Sequence, residues 1–190
     1  KLNHLNVYVV HYTKLTERKT FIDSLFNSKF FDVSYVTNFD KEELNDIDID
    51  KFYHDDVNEH QSKTKLWEKG GDYRSLNDAE LSCTIKHIEA LKKCAESNSK
   101  YSLIVEDDIL PTKFYLLKLK RLLKKKDDWD VLFIGQGISK NFILKNINKK
   151  FGFGSKTYQV NHPATNCAEA YLIKREIAKK ICDNILPFNL

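Results

Sequence analysis

The sequence predicts an α/β protein that contains a parallel strand–helix–strand unit. The run from Leu5 to Val10 is apolar and β-branched, as is typical of a buried strand. A helical pattern begins at Thr16, with apolar residues at helical spacing, and a second short strand follows at Val33 to Val36. A strand, a helix and a strand in this order favour a parallel α/β unit.

The composition excludes two broad classes of protein. The chain has 190 residues, of which 42% are hydrophobic, 12% aromatic and 31% charged, and a disordered chain would be less apolar. No apolar run approaches the roughly 20 residues that a membrane-spanning helix needs. We therefore expect one folded domain with a buried core and no transmembrane segment.

The charge pattern argues against a nucleic-acid partner. The formal net charge of +4 comes from 31 basic and 27 acidic residues distributed along the chain. Almost all of the basic residues are lysines, and the arginines are Arg18, Arg74, Arg121 and Arg175. No stripe of alternating aromatic and basic residues is present, so we expect no nucleic-acid binding.

The cysteines indicate thiols and not a disulfide framework. Cys83, Cys94, Cys167 and Cys182 form neither a CxxC pair nor a zinc-finger spacing. Because the chain is large for a disulfide-built fold, we expect reduced and mostly buried thiols, with disulfides as the alternative. No Asn-x-Ser/Thr sequon and no apolar signal region occur, so a cytoplasmic location is favoured.

Residues 40–74 are polar and end in Gly70-Gly71. Their acidic residues raise the possibility of a calcium loop, but the glycine and the closing glutamate of an EF-hand are not in place. We expect a flexible surface excursion.

A strong helix follows that excursion. Asn77 and Glu80 have the spacing of a capping box. One apolar stripe continues the pattern through Leu81, Ile85, Ile88, Leu91 and Ala95. His87 lies on the same side of this helix as Cys83, four residues away, and is either a core histidine or part of a site.

The remaining elements alternate between strands and helices. We expect the lysines along the predicted basic helix to form a solvated face; the alternative is a face that binds to a membrane surface. In chain order we expect a strand at Tyr101 to Val105, the basic helix at Lys113 to Lys126, a strand at Val131 to Ile134, a loop or hairpin at Ser139 to Thr157, a strand at Ala170 to Ile173 and a closing helix at Arg175 to Ile185.

Three adjacent carboxylates, Glu106, Asp107 and Asp108, directly follow the predicted strand at Tyr101 to Val105. Adjacent acids repel one another, and a divalent cation offsets that repulsion best; hard oxygen ligands select Mg²⁺, Mn²⁺ or Ca²⁺. In open α/β sheets the ligand site lies at the carboxyl ends of the strands. Continued alternation would place Glu106 and Asp108 on one face and Asp107 on the other. The alternative is an acidic turn without a metal.

At this point the sequence resembles glycosyltransferase family 25, which includes bacterial lipooligosaccharide sugar transferases and animal collagen galactosyltransferases. Four blocks in the family's order carry the resemblance. They are TERK at 16–19, SLNDAELSCTIKHIEALKKC at 75–94, LIVEDDI at 103–109 with WDVLFIG at 129–135, and AYLIKREIAKKI at 170–181.

The resemblance implies a GT-A type, Rossmann-like mixed sheet with flanking helices, formed by residues 1–190 as a single domain. It also implies an inverting transfer of a sugar, galactose or glucose, from a UDP-sugar to a glycan, a lipooligosaccharide or a hydroxylysine-type acceptor. Mn²⁺ or Mg²⁺ would be the cofactor.

The same resemblance assigns the site residues. Glu106, Asp107 and Asp108 would form a DXD-type motif, in which Asp108 holds the metal, Glu106 shares the metal or contacts the ribose, and Asp107 belongs to the donor site. Four further residues would lie over or near the nucleotide: His11, Tyr12, Arg18 and His87.

Three departures from the family's pattern matter. Lys86 stands where the family has a small serine, and Glu169 stands where it prefers a small residue. The family's pattern continues beyond Pro187, so we expect the domain to be cut short at its acceptor end. Because an acid just before a strand near the acceptor side needs an explanation, Glu169 is the candidate general base, with an ordinary surface glutamate as the alternative. These departures leave open a nucleotide-sugar-binding module without turnover.

Overall fold

The computed structural model describes residues 4–55, 75–124, 129–135, 147–151, 157–160 and 168–188, and for 147–151 and 157–160 it describes the backbone only. The strands are Leu5–Val10 (β1), Phe31–Val36 (β2), Tyr101–Glu106 (β3), Val131–Phe133 (β4), Ile147–Phe151 (β5), Thr157–Val160 (β6) and Ala170–Lys174 (β7). The α-helices are Thr16–Leu25 (α1), Asp78–Glu96 (α2), Tyr115–Leu123 (α3) and Arg175–Cys182 (α4).

Five of the strands form one mixed sheet in the order β2-β1-β3-β7-β4. β1 lies parallel to β2 and β3, with Val9 opposite Tyr35 and Val105. β7 runs antiparallel to both β3 and β4. This mixed sheet with flanking helices confirms the α/β prediction and the GT-A type, Rossmann-like fold that the resemblance implies.

Both faces of the sheet are covered, which explains the unbroken apolar character of β1. Alternate residues of β1 and β3, such as Val7 and Leu103, pack with Ile22 of α1 and Leu119 of α3. Side chains on the other face, among them Ile104, pack against α2 and α4. The site-bearing strand ends are therefore held between two helical layers.

The long helix α2 begins as predicted. The Asn77 side chain accepts a hydrogen bond from the Glu80 N–H, and the Glu80 carboxylate accepts one from the Asn77 N–H, which completes a capping box. Leu81, Ile85 and Ile88 lie in a third apolar cluster beside the sheet.

The segment after β2 differs from the predicted surface excursion in its first part. Two 3₁₀ turns, Leu44–Asp46 and Ile49–Lys51, pack against α2, and Leu44 is buried there. Near its end, Tyr53 forms a bridge with Phe188. Apolar residues within the acidic stretch explain this order. Residues 56–74, which make up the rest of the predicted excursion, lie outside the described residues.

The two later helices are shorter than the sequence predicted. α3 begins after Phe114, whose φ of 62° is left-handed and cannot continue a helix. α4 ends at Cys182 because a turn follows, although Ile185 still packs in the third cluster. β5 lies within the predicted loop or hairpin at Ser139 to Thr157 and pairs antiparallel with β6, which begins at Thr157; this pairing favours the hairpin alternative.

Two smaller predictions concern thiols and membranes. Cys83, Cys94 and Cys182 carry free thiols, and Cys167 lies outside the described residues. Among the helices that the structure describes, none has the length and apolarity needed to cross a bilayer.

The capping box gives the first testable prediction. Asn77→Ala removes the acceptor for the Glu80 N–H, so the free energy of unfolding falls by about 1 kcal/mol. Asn77→Asp keeps an oxygen acceptor and retains most of the stability. Urea titration followed by circular dichroism measures both, and equal stability of Asn77→Ala and the parent would contradict the role of the cap.

Candidate active site

The carboxylate of Asp107, directly after β3, has three hydrogen-bonding partners. It is buried, and its Oδ2 lies 2.7 Å from Nδ1 of His11 and 3.2 Å from the N–H of Tyr12. Its Oδ1 accepts a hydrogen bond of 2.8 Å from Nη1 of Arg18. Both carboxylate oxygens are thus bonded within the protein, so Asp107 fixes the positions of His11, Tyr12 and Arg18.

Arg18, in the first turn of α1, connects two of the three adjacent acids. The same Nη1 lies 3.3 Å from Oδ2 of Asp108. The hydrogen bond to Asp107 raises the pKa of the guanidinium, which therefore stays charged. Because 40% of the Arg18 side chain is exposed, its other donors can reach a ligand at the surface.

Glu106 lies in a different environment, on the α2 side of the sheet. Its Oε1 is 3.3 Å from Nε2 of His87, whose Nδ1 is 3.2 Å from the Tyr171 hydroxyl. The rings of His87 and Tyr171 stack at 5.8 Å. His87 is thus held between a strand-end carboxylate and a buried tyrosine whose pKa is raised by burial.

Cys83 completes this second group, as the helical spacing predicted. Ligand atoms of Cys83, His87 and Glu106 all lie within 4.8 Å of one another, so among the described residues they are the group that could enclose a metal ion. Burial, with the charge of Glu106, raises the pKa of the Cys83 thiol to about 12. A protonated thiol is a poor metal ligand.

The expected alternation of the three acids stops at the end of β3. Asp107 and Asp108 lie in a turn, and both bond to Arg18, whereas Glu106 contacts His87. The structure therefore does not pair Glu106 with Asp108 on one face, because alternation holds only while the backbone stays extended. Asp108 is the solvent-facing member, with 52% of its side chain exposed.

Glu169 approaches the same edge from β7. Its carbonyl accepts a hydrogen bond of 2.8 Å from the N–H of Glu106, which joins the two acids across the sheet. A Cβ at Gly135 would lie 2.8 Å from Oε2 of Glu169, so any side chain there would displace this carboxylate. Glycine at the end of β4 therefore leaves the space that the Glu169 carboxylate occupies.

A cavity of about 620 Å³ opens beside these residues, between α3 and the sheet. Asp108 and Glu169 are its acidic lining residues, and most of the other lining groups are apolar. Two acidic residues, one just after β3 and one just before β7, thus line one concave surface, an arrangement typical of ligand sites.

Tyr12 contributes chiefly through its backbone. While its N–H binds Asp107, its hydroxyl donates to Glu42 across 2.6 Å in an exposed position. Lys14 also bonds to Glu42, at 2.8 Å. The ring therefore lies on the outer side of the loop that follows β1.

A buried ion pair supports that loop, and sequence reasoning missed it. Lys86 is only 2% exposed; its ammonium group pairs with the carboxylate of Asp40 and donates to the carbonyl of His11 across 2.6 Å. Thr13 also bonds to Asp40. Burial tends to raise the pKa of Asp40, but the bonds from Lys86 and Thr13 outweigh it and lower the pKa.

Comparison with known families identifies the chain. The model of glycosyltransferase family 25 (LPS biosynthesis protein) matches residues 4–190. The chain belongs to glycosyltransferase family 25. A search of curated proteins found no significant match. Membership gives the protein a glycosyl transfer role and confirms the resemblance that its four sequence blocks indicated.

In this family 25 chain, all eight predicted site residues lie near one sheet edge but divide into three groups. His11, Tyr12, Arg18, Asp107 and Asp108 form the first group, Glu106 and His87 the second, and Glu169 the third. The Lys86–Asp40 pair was not predicted. A lysine between inward-facing helical positions was the one signal available.

The ion pair leads to a second prediction. Lys86→Met leaves the Asp40 carboxylate buried without its partner, so the free energy of unfolding falls by about 3–5 kcal/mol. The double variant Lys86→Met/Asp40→Asn removes both charges and regains a large part of that loss. Chemical denaturation measures each variant; a single variant as stable as the parent would refute the buried pair.

Proposed function

We propose that this family 25 protein transfers a sugar from a UDP-sugar to a hydroxyl of a glycan-type acceptor, with inversion at the anomeric carbon and with Mn²⁺ or Mg²⁺. The observation that carries the proposal is the pair of carboxylates, Asp108 and Glu169, that face one cavity from neighbouring strand ends. Asp108 suits the donor's diphosphate and its metal, and Glu169 suits the acceptor.

On the donor side, the chain's residues have separate tasks. Asp107 fixes the turn and Arg18 through bonds that use both of its oxygens. Arg18 then stabilises negative charge on the leaving diphosphate, since charge-assisted bonds to phosphate are strong. His11 and Tyr12 would lie over the nucleotide, and His87 would lie near the donor site beside Glu106.

The residues fit a hard divalent cation. The Asp108 side chain is exposed and its described bond, from Arg18, uses Oδ2; Glu106 is partly exposed. Mg²⁺ and Mn²⁺ are commonly bound by one or two carboxylates together with substrate phosphates. Asp108 would hold the ion, whereas Glu106, which lies apart from Asp108 and contacts His87, would bind the ribose. The ion would supply Lewis-acid neutralisation of the diphosphate.

On the acceptor side, Glu169 takes the proton. As the acceptor oxygen bonds to the anomeric carbon, its proton passes to the Glu169 carboxylate and the bond from that carbon to the diphosphate oxygen breaks. UDP leaves with the bonding electrons. One displacement of this kind inverts the anomeric centre, through a transition state with oxocarbenium character.

The donor-side assignment is tested by Asp108→Ala. Loss of the metal-binding carboxylate is expected to abolish Mn²⁺-dependent binding of UDP, as measured by calorimetric titration. Asp32→Ala, which removes an exposed acid on β2, serves as the matched control and binds normally. Undiminished Mn²⁺-dependent binding by the Asp108 variant would show that another residue holds the ion.

The base assignment is tested by Glu169→Gln. This variant keeps the shape of the side chain but cannot accept the proton, so turnover is expected to fall about 10²–10⁴-fold. UDP release measured with a panel of UDP-sugars gives turnover, and calorimetry checks that UDP still binds with Mn²⁺. Normal turnover in the variant would refute the base role, whereas UDP binding without turnover in the parent would identify a binding module.

A further inference from the structure

An exposed apolar ridge follows directly after the carboxylate turn. Leu110, Phe114 and Leu117 are 86%, 65% and 53% exposed, the largest exposures among the big apolar side chains that the structure describes. Phe114 and Leu117 are three residues apart at the start of α3 and so are neighbours on its surface. Apolar groups clustered in this way mark a surface that meets a partner.

Phe114 combines a left-handed backbone with a mostly exposed side chain. Its φ of 62° is left-handed, which is unfavourable for a residue with a bulky side chain. The described contact of its ring is the Lys113 ammonium, 5.3 Å from the ring centre. Within the described part of the chain the Phe114 side chain is mostly exposed, so an external surface could bury it.

The ridge lies within the most basic part of the chain. Residues 109–126 contain seven of the 31 basic residues and none of the 27 acidic ones, so the remainder of the chain has 24 basic residues against 27 acidic. The net positive charge therefore comes from this segment. Four of its basic side chains are exposed on or beside α3: Lys113, Lys118, Arg121 and Lys124.

We propose that the ridge and these basic residues dock the protein on an anionic lipid bilayer. Leucine and phenylalanine side chains insert at the boundary between head groups and acyl chains, and lysines around them pair with anionic head groups. A second copy fits less well, because a two-fold interface would set this basic face against itself. Nucleic acid offers no apolar layer to receive the ridge.

Docking in this orientation has a direct consequence for the cavity. Leu110 lies two residues after Asp108, and both line the cavity that also contains Glu169. A bilayer bound to the ridge would therefore lie at the cavity entrance. The docking proposal itself does not depend on the donor, the metal or the acceptor, and it is tested without activity.

Co-sedimentation with vesicles provides the test. The full chain is mixed with phosphatidylcholine vesicles or with vesicles that also contain phosphatidylglycerol. We expect binding to the anionic vesicles only, weakened by salt. The variant Leu110→Ser/Phe114→Ser/Leu117→Ser is expected to bind at least tenfold more weakly, because each buried apolar side chain contributes strongly to the partition.

A charge-matched pair of variants separates a local surface from general attraction. Lys113→Gln/Lys118→Gln/Arg121→Gln removes three charges around the ridge, and each is expected to cost about fivefold in binding. Lys93→Gln/Lys179→Gln/Lys180→Gln removes three exposed charges on α2 and α4 and should bind like the parent. Circular dichroism checks that every variant is folded.

Several outcomes would overturn the proposal. These are equal binding to neutral and anionic vesicles, absence of binding to both, and an equal loss in the two charge variants. A vesicle-independent dimer in sedimentation velocity that the ridge variant abolishes would assign the ridge to a second copy instead. In a positive result, Leu117→Trp fluorescence shifts to shorter wavelength with anionic vesicles alone.

Discussion

The arrangement of the site depends on the buried carboxylate of Asp107. It joins the end of β3 to the loop after β1 through His11 and Tyr12, and to α1 through Arg18. A carboxylate removed from water is tolerated only when its oxygens are bonded. Because Asp107 meets that requirement entirely within the protein, the turn after it is fixed and Asp108 is directed to the surface. The buried pair of Lys86 and Asp40 holds the same loop from its other side, through the carbonyl of His11.

As a result, three acids that are adjacent in sequence lie in three different environments. Glu106 faces a histidine and a tyrosine on the α2 side, Asp107 is enclosed, and Asp108 meets solvent beside an arginine. Three like charges in a row are tolerable because Arg18 bonds to both Asp107 and Asp108, while Glu106 contacts His87 on the α2 side. Glu169 directly precedes β7, which runs antiparallel to β3, so Asp108 and Glu169 reach one cavity from the ends of two neighbouring strands.

Much of this architecture follows from local sequence signals. Apolar runs predicted the strands of the sheet, and Asn77 with Glu80 predicted the start of α2, because burial and capping are local requirements. The faces of Glu106 and Asp108 were not predictable, since the turn at Asp107 is set by partners far away in the chain. The Lys86–Asp40 pair was missed for the same reason, and the left-handed residue Phe114 shortened α3 against its own periodicity. Helix and strand existence is a short-range property; side-chain direction at a strand end is not.

The position of β7 bears on how the protein is made. It is the last strand of the described chain, yet it lies in the interior of the sheet between β3 and β4. During synthesis the groups that hold Asp107 can assemble early, because they come from the first half of the chain. Until β7 is made, the edge of β3 that it will cover, with Leu103, Ile104 and Val105, stays unpaired. Open apolar edges promote wrong pairing between chains. The strand that follows Glu169 therefore also protects the nascent sheet, and a chain that ends before β7 would be prone to aggregate.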